Sequence, residues 1–265
     1  TIASEDAVIT EQKKKNTSIK VIVPVTPLMS NHNDFDALRT HPNINIEFVR
    51  ASVVQQTRLP SCDLILLAGS KSVVDDLEFI RSQGWDQDIA KHLRYGGKVF
   101  GLCGGFQMLG QWIKDPNNLE SASAINEGLG YLAMETTFAA EKALVNKTGR
   151  FTLNNKTAPV NGYEIHHGVT TYQDHKPLIT FDDGSSCGVM DHHGQVAGCY
   201  LHGIFDQDIA IQLVVDWCGF QVEAHTDLYE QQEQAINKLA DVCEQYLDLD
   251  KIETLIQQWE ITNDG

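Results

Sequence analysis

Leu64 to Ala68 is an unbroken apolar run that begins after Asp63 and stops at Gly69-Ser70. A strand with no polar face must be covered on both sides, as a central strand of a parallel sheet is when helices lie above and below it. The flanking segments meet that requirement. Ile19 to Val25 is a short β-branched run that stops among Pro24 and Pro27, Ile44 to Val49 is a second strand, and Lys98 to Leu102 is a fourth. Between the strands the periodicity turns helical. Asn33-Asp34 precedes Phe35 to Leu38 as a capped helix start. Ser72 is placed to cap Val73 to Gln83, with Asp75 and Asp76 in the first turn, and Trp85 to Tyr95 runs from Gly84 to Gly96-Gly97. After Cys103-Gly104-Gly105 a helix is expected from about Phe106 to Lys114. Strands alternating with helices predict an α/β chain on an open, mostly parallel sheet.

Beyond Asp115-Pro116 the pattern changes. Short β-like segments separated by Gly, Asn and Asp turns, from about Leu129 to Leu201, predict an antiparallel extension. Gln195 to Leu201 reads as the last strand, rejoining the main sheet, and Asp206 to Cys218 as a helix. From residue 233 to 259, apolar positions such as Ile236, Leu239, Leu255 and Trp259 recur at helical spacing. They predict a C-terminal helical extension, 218–265, packed on the same domain. Residues 1–18 are polar and read as a linker or tail, leaving 19–217 as the main domain.

The formal net charge of −16 argues against a nucleic-acid or anionic-membrane partner. No apolar run approaches the ~20 residues of a membrane helix. With Glu5, Asp6 and Lys13-Lys14-Lys15 near the start and no apolar h-region, a secretory signal is not expected. The six cysteines form no C-x-x-C pair, so reduced thiols in a cytoplasmic protein are predicted.

The strongest chemical signal is Gly101-Leu102-Cys103-Gly104-Gly105, an apolar strand ending on a thiol with a helix beginning at once. This is the cysteine version of a nucleophile elbow, in which glycines leave room for a sharp turn. The Gly104 N–H would point at the oxygen of an attacked carbonyl. A lone cysteine is more often a buried structural one; glycines on both sides favour the nucleophile. A base is needed, and ten histidines do not choose among themselves. His202, in Tyr200-Leu201-His202-Gly203 at a strand end, could face the elbow or be a satisfied core histidine. No metal is expected. His166-His167 and His192-His193 are adjacent pairs that point to opposite faces of a strand, and Cys199-x-x-His202 has no partner pair.

At these residues the sequence resembles the C-terminal amidotransferase domain of the cobyric acid synthase family. The matching stretches are Asn33 to Leu38, Ala68 to Lys71, Gly84 to Ile89, Gly101 to Gly110, Gly162 to His166, Tyr200 to Phe205 and Gln234 to Ala240, with Glu5 to Val8 similar to the family's interdomain segment. The resemblance implies a flavodoxin-like sheet of the class I glutamine amidotransferase type. It implies that Cys103 attacks the glutamine side-chain amide, with His202 as base. It also implies that Gly69, Ser70 and Gly104 line the oxyanion hole and that Gln107 contacts glutamine. Many class I enzymes carry Glu two residues after the histidine; here that residue is Ile204. Either the pair works as a dyad or another carboxylate orients His202, with Glu164 and Asp206 as candidates.

Family members use ATP to activate corrinoid carboxylates. This chain has no G-x-x-x-x-G-K-[ST] loop, since Gly97-Lys98 lacks the upstream glycine. No cofactor is therefore expected in this chain, while ATP and Mg are expected in an N-terminal synthetase domain that also holds the corrinoid acceptor. The rival readings are an amidotransferase subunit for another acceptor and a non-catalytic docking module. If Cys103 is the nucleophile, brief, limiting iodoacetamide near neutral pH labels it ahead of the other five cysteines in a peptide map. Preferential labelling of Cys62 or Cys243 would contradict the assignment.

Overall fold

The structure, a computed structural model, describes residues 19–52, 54, 56–139, 144–166, 168–173, 176–221 and 228–263. The stretch 1–18, read as a linker, lies outside them. The strands that position the site are β1 (Ile19–Val25), β2 (Ile44–Arg50), β3 (Leu64–Leu67), β4 (Lys98–Leu102), β5 (Leu144–Leu153), β6 (Lys156–Ile165), β7 (Val196–Cys199) and β8 (Leu201–His202). The helices are α1 (Asp36–Thr40), α2 (Val73–Ser82), α3 (Trp85–Arg94), α4 (Gly104–Met108), α5 (Asp208–Trp217), α6 (Leu228–Tyr246) and α7 (Leu249–Asn263).

The main sheet runs β2-β1-β3-β4-β7, all parallel, with Val189–Met190 added antiparallel outside β7. This is the flavodoxin-like strand order, in which the loops at the C-terminal strand ends converge on one site. Every residue of β3 is buried, as its unbroken apolar sequence requires. The antiparallel extension is a second sheet, in which the long β5–β6 hairpin pairs on one side with Ile179–Phe181 and on the other with β8.

Three sequence expectations change. The helix expected to Lys114 stops at Met108, and Trp112–Lys114 becomes a strand between Ile125–Glu127 and Met134–Thr137. Gly110 marks the break, and Gln111 N–H donates to the Met134 carbonyl, so sheet pairing takes the backbone that a longer helix would have used. The strand expected from Gln195 to Leu201 is divided: β7 belongs to the main sheet, whereas β8 pairs with β6 in the second. Ile236, Leu239, Val242, Ile252, Leu255 and Trp259 of α6 and α7, expected to pack on the domain, are exposed. No described helix is long and apolar enough to cross a membrane.

One of the expected caps is also replaced. Ser72 makes no side-chain cap, and the first N–H of α2 donates instead to Glu120, 2.6 Å away. Asp76, fully buried in α2, accepts hydrogen bonds from Thr26 Oγ1 (2.8 Å), Leu28 N (2.9 Å) and Ser70 Oγ (2.6 Å). It thereby ties the loop after β1 to the loop after β3, and Met29–Ser30 pairs with Gly69–Ser70 alongside. Asp76→Ala leaves these donors without their acceptor. A loss of about 1–3 kcal/mol is expected for an unmet buried group, measured by urea unfolding, with an unchanged m-value.

Candidate active site

β4 ends at Leu102 and α4 starts at Gly104, so Cys103 is the whole turn. Its φ of 50° and ψ of −109° lie outside the regions favoured by L-residues, and backbone of this kind costs of order 1–3 kcal/mol. The surroundings hold it there. Its N–H donates to the Cys199 carbonyl (2.9 Å) and its carbonyl accepts from Gln107 N (3.0 Å). A Cβ on Gly104 would stand 2.7 Å from the Ser70 amide nitrogen, and one on Gly105 2.2 Å from the Leu67 carbonyl oxygen. Only glycine permits either approach. The thiol is partly exposed and lies 3.6 Å from the Ile165 carbonyl.

His202 is buried, and Cys103 is one of its hydrogen-bonding neighbours. Its Nδ1 lies 2.7 Å from Oδ2 of buried Asp34, 168 residues away in sequence. An ionised carboxylate can only accept, so Nδ1 carries the hydrogen and Nε2 is the nitrogen left for the thiol. The other Asp34 oxygen accepts from Gly203 N at 3.1 Å. Tyr163, opposite His202 in the β6–β8 register, stacks on the imidazole with centroids 5.0 Å apart and planes 18° from parallel. The Asn31 carboxamide nitrogen lies 3.1 Å from His202 Nδ1 and 3.4 Å from the Tyr163 hydroxyl. Beneath them Phe35, next to Asp34, packs on Phe205 with centroids 6.5 Å apart. Burial opposes charge on His202. The hydrogen bonds to Asp34 and Cys103, with their charges, outweigh that and push its pKa from 6.5 up to about 10.

The carboxylate on His202 is thus Asp34, and neither Glu164 nor Asp206 takes that place. Glu164 follows Tyr163 on β6 and so faces the other side of the sheet, where it bonds Cys187. Asp206 is exposed on the turn that its N–H closes onto the Gly203 carbonyl (3.0 Å). Ile204 is core. Gly69 comes close to the base, since a Cβ there would stand 3.8 Å from His202 Cε1. The Ser70 hydroxyl is committed to Asp76, but its backbone lies against Gly104. Gln107 is buried and bonds the Tyr200 hydroxyl, which also bonds Thr170. Cys199 and His202 lie in different sheets, and among the described residues no three His, Cys, Asp or Glu side chains gather as a metal set. Sequence reasoning named none of Asp34, Asn31 and Tyr163 as site residues. The signal available was position: Asn31 and Asp34 sit in the loop leaving the C-terminal end of a parallel strand.

Residues 20–210 match the model of the CobB/CobQ-like glutamine amidotransferase domain. The chain belongs to this family. It is 44% identical over 253 residues to a protein named cobyric acid synthase from Vibrio vulnificus (strain YJ016), covering 95% of this chain and 52% of that one. It is 42% identical over 250 residues to the cobyric acid synthase of Vibrio campbellii (strain ATCC BAA-1116), covering 94% and 52%. The chain therefore spans about half the length of these relatives. A crystal structure of a glutamine amidotransferase superposes with a TM-score of 0.52 at 16% identity, covering 75% of this chain and 99% of that one, which supports the fold.

The charge on His202 gives this amidotransferase domain a pH signature. Its folded-state pKa of about 10 lies above the ordinary 6.5, so the folded state binds the proton more tightly. The stabilisation is complete below the ordinary value and is lost as pH rises through the folded one. The thermal midpoint of the parent should therefore exceed that of Asp34→Asn most near pH 6 and converge on it towards pH 10. A gap independent of pH would show that the Asp34–His202 contact does not carry the shift.

Proposed function

We propose that the chain is the glutamine-hydrolysing half of a cobyric acid synthase, with Cys103 as nucleophile, His202 as base and Asp34 as the residue that orients His202. The observation that carries this reading is the strained elbow of Cys103 beside a histidine whose far nitrogen is held by a buried carboxylate, the arrangement of a nucleophile–base–orienter triad. His202 Nε2 holds the proton of the thiol–imidazole pair before attack, and the Cys103 sulfur so freed attacks the side-chain amide carbon of glutamine. The Asp34 charge favours the imidazolium so formed. His202 returns the proton to the leaving nitrogen, ammonia departs, and a glutamyl thioester remains. Water, deprotonated by the same ring, hydrolyses the thioester to glutamate and restores the thiol. On this reading the Gly104 N–H and the Gly69-Ser70 strand receive the oxyanion. Gln107, anchored on Tyr200, is assigned to the glutamine itself.

The relatives' names support ammonia transfer to corrinoid carboxylates, as do their twofold greater lengths. On this reading ATP and Mg belong to the synthetase half, which activates the carboxylate, and the reaction takes place in the cytoplasm. Steady-state ammonia release from glutamine tests the proposal. His202→Asn should lower turnover by roughly 10²–10⁴-fold, the usual worth of a positioned proton transfer, and Asp34→Asn should lower it in the same direction. Parent-like turnover in His202→Asn would move the role of base to another histidine, His166 first. No ammonia from the parent, with or without the synthetase half, would leave only a docking module.

A further inference from the structure

Tyr200 is the residue between β7 and β8. Its neighbours on either side pair in different sheets, so its backbone is held from both, and its N–H donates to Cys187 Sγ (3.1 Å). The side chain is buried, and a buried hydroxyl needs partners. It has them in Thr170, Thr136 and Gln107. Thr170 and Thr136 stand opposite each other on paired strands, with their hydroxyls 2.8 Å apart. Phe106 meets the Tyr200 ring edge-on, with centroids 5.1 Å apart and planes at 76°. The ring and its hydroxyl are thus fixed from several sides.

Two polar side chains near the thiol are mounted on that ring. Gln107 lies one helical turn beyond Cys103, whose carbonyl accepts its N–H (3.0 Å), and its carboxamide bonds the Tyr200 hydroxyl. His166 follows Ile165, whose carbonyl lies 3.6 Å from the Cys103 sulfur. Its imidazole stacks on the Tyr200 ring, with centroids 3.8 Å apart and planes 19° from parallel. Proton transfer at the thiol is assigned to His202, so neither group is needed for it. A carboxamide and an imidazole complement a zwitterion: an amide oxygen accepts from an ammonium, and a ring N–H donates to a carboxylate. Glutamine carries both charges at the far end of its side chain from the amide that Cys103 attacks.

We propose that Tyr200 is a positioning residue for substrate recognition, holding Gln107 and His166 as the pair that reads the α-ammonium and α-carboxylate of glutamine. This rests on the reading of the chain as a glutaminase, and it concerns the end of the substrate that the bond-breaking steps do not touch. Recognition of this kind needs side chains whose own rotamers are locked from behind, and Tyr200 locks both. The pair acts on binding, so its loss is felt in KM and leaves the reactivity of the thiol intact.

The test sets two alkylating reagents against Cys103. 6-Diazo-5-oxo-L-norleucine carries the α groups of glutamine on a reactive tail, and iodoacetamide carries neither. Labelling rates at limiting reagent, with KM and kcat for ammonia release, are measured on the parent, Tyr200→Phe and His166→Phe. His166→Phe keeps a ring to stack and leaves the buried hydroxyls intact, so it decides the matter if Tyr200→Phe does not fold. Each variant should lose roughly tenfold or more in its rate with the diazo ketone, the worth of one hydrogen bond to a charged group. Its iodoacetamide rate should stay near that of the parent, and its loss of turnover should fall in KM. A parallel fall with both reagents would mean that the cluster only supports the fold, and would overturn the proposal. So would variants that react with the diazo ketone as the parent does. If Cys103 of the parent takes iodoacetamide but not the diazo ketone, and no ammonia is released, the glutaminase reading itself fails and this proposal with it.

Discussion

Asp34 accepts from the His202 ring with one oxygen and from the Gly203 backbone with the other. It comes from the loop after β1, and its targets lie at the far end of the domain's sequence. Both partners are buried, so the contact works in a medium of low polarity, where a satisfied pair is strong and an orphaned one costly. The Phe35–Phe205 contact brings the two segments together from below, and Tyr163 covers the ring from β6. The orientation of the imidazole, and hence which nitrogen faces the thiol, follows from this cluster.

On the other side of the site the geometry is set by steric exclusion. Cys103 sits in a backbone conformation it would not choose, and the energy is supplied by a tightly packed strand–helix junction. Gly104 and Gly105 bring α4 against the Ser70 and Leu67 backbones at distances that leave no room for a side chain. Asp76 fixes Ser70 from behind, so the wall facing the thiol is anchored through α2.

The parallel sheet was legible because its signal is local: an apolar run such as Leu64 to Ala68 has few other uses. The elbow was legible for a related reason, since glycines around a thiol at a strand end have a specific steric purpose. The partner of His202 was not. Asp34 reads locally as a helix cap beside Asn33, and nothing near it in sequence points to a histidine 168 residues away. Glu164 and Asp206 lie closer in sequence to other parts of the site, but alternation on β6 turns Glu164 to the opposite face, and Asp206 falls on an exposed turn. The two-sheet division at Tyr200 was hidden as well, because Val196 to Leu201 is one continuous apolar stretch. For α6 and α7, periodicity shows only that an apolar face exists, not what it meets.

That division at Tyr200 has a mechanical meaning. Cys199 pairs with Leu102, immediately before the nucleophile, while His202 pairs with Tyr163 near the end of a ten-residue strand in the other sheet. Base and nucleophile are thus mounted on separate sheets, which the chain joins at Tyr200 and again at Gly188. A strand of that length spans about 33 Å at the usual rise per residue, and β6 carries the contact from Lys156, which bonds Asp216 of α5, to Tyr163 on the imidazole. The sulfur-to-nitrogen gap is therefore set by how the two sheets sit against each other, and the Asp34–His202 contact on one side and the Ile165 carbonyl beside the thiol on the other fix that seating.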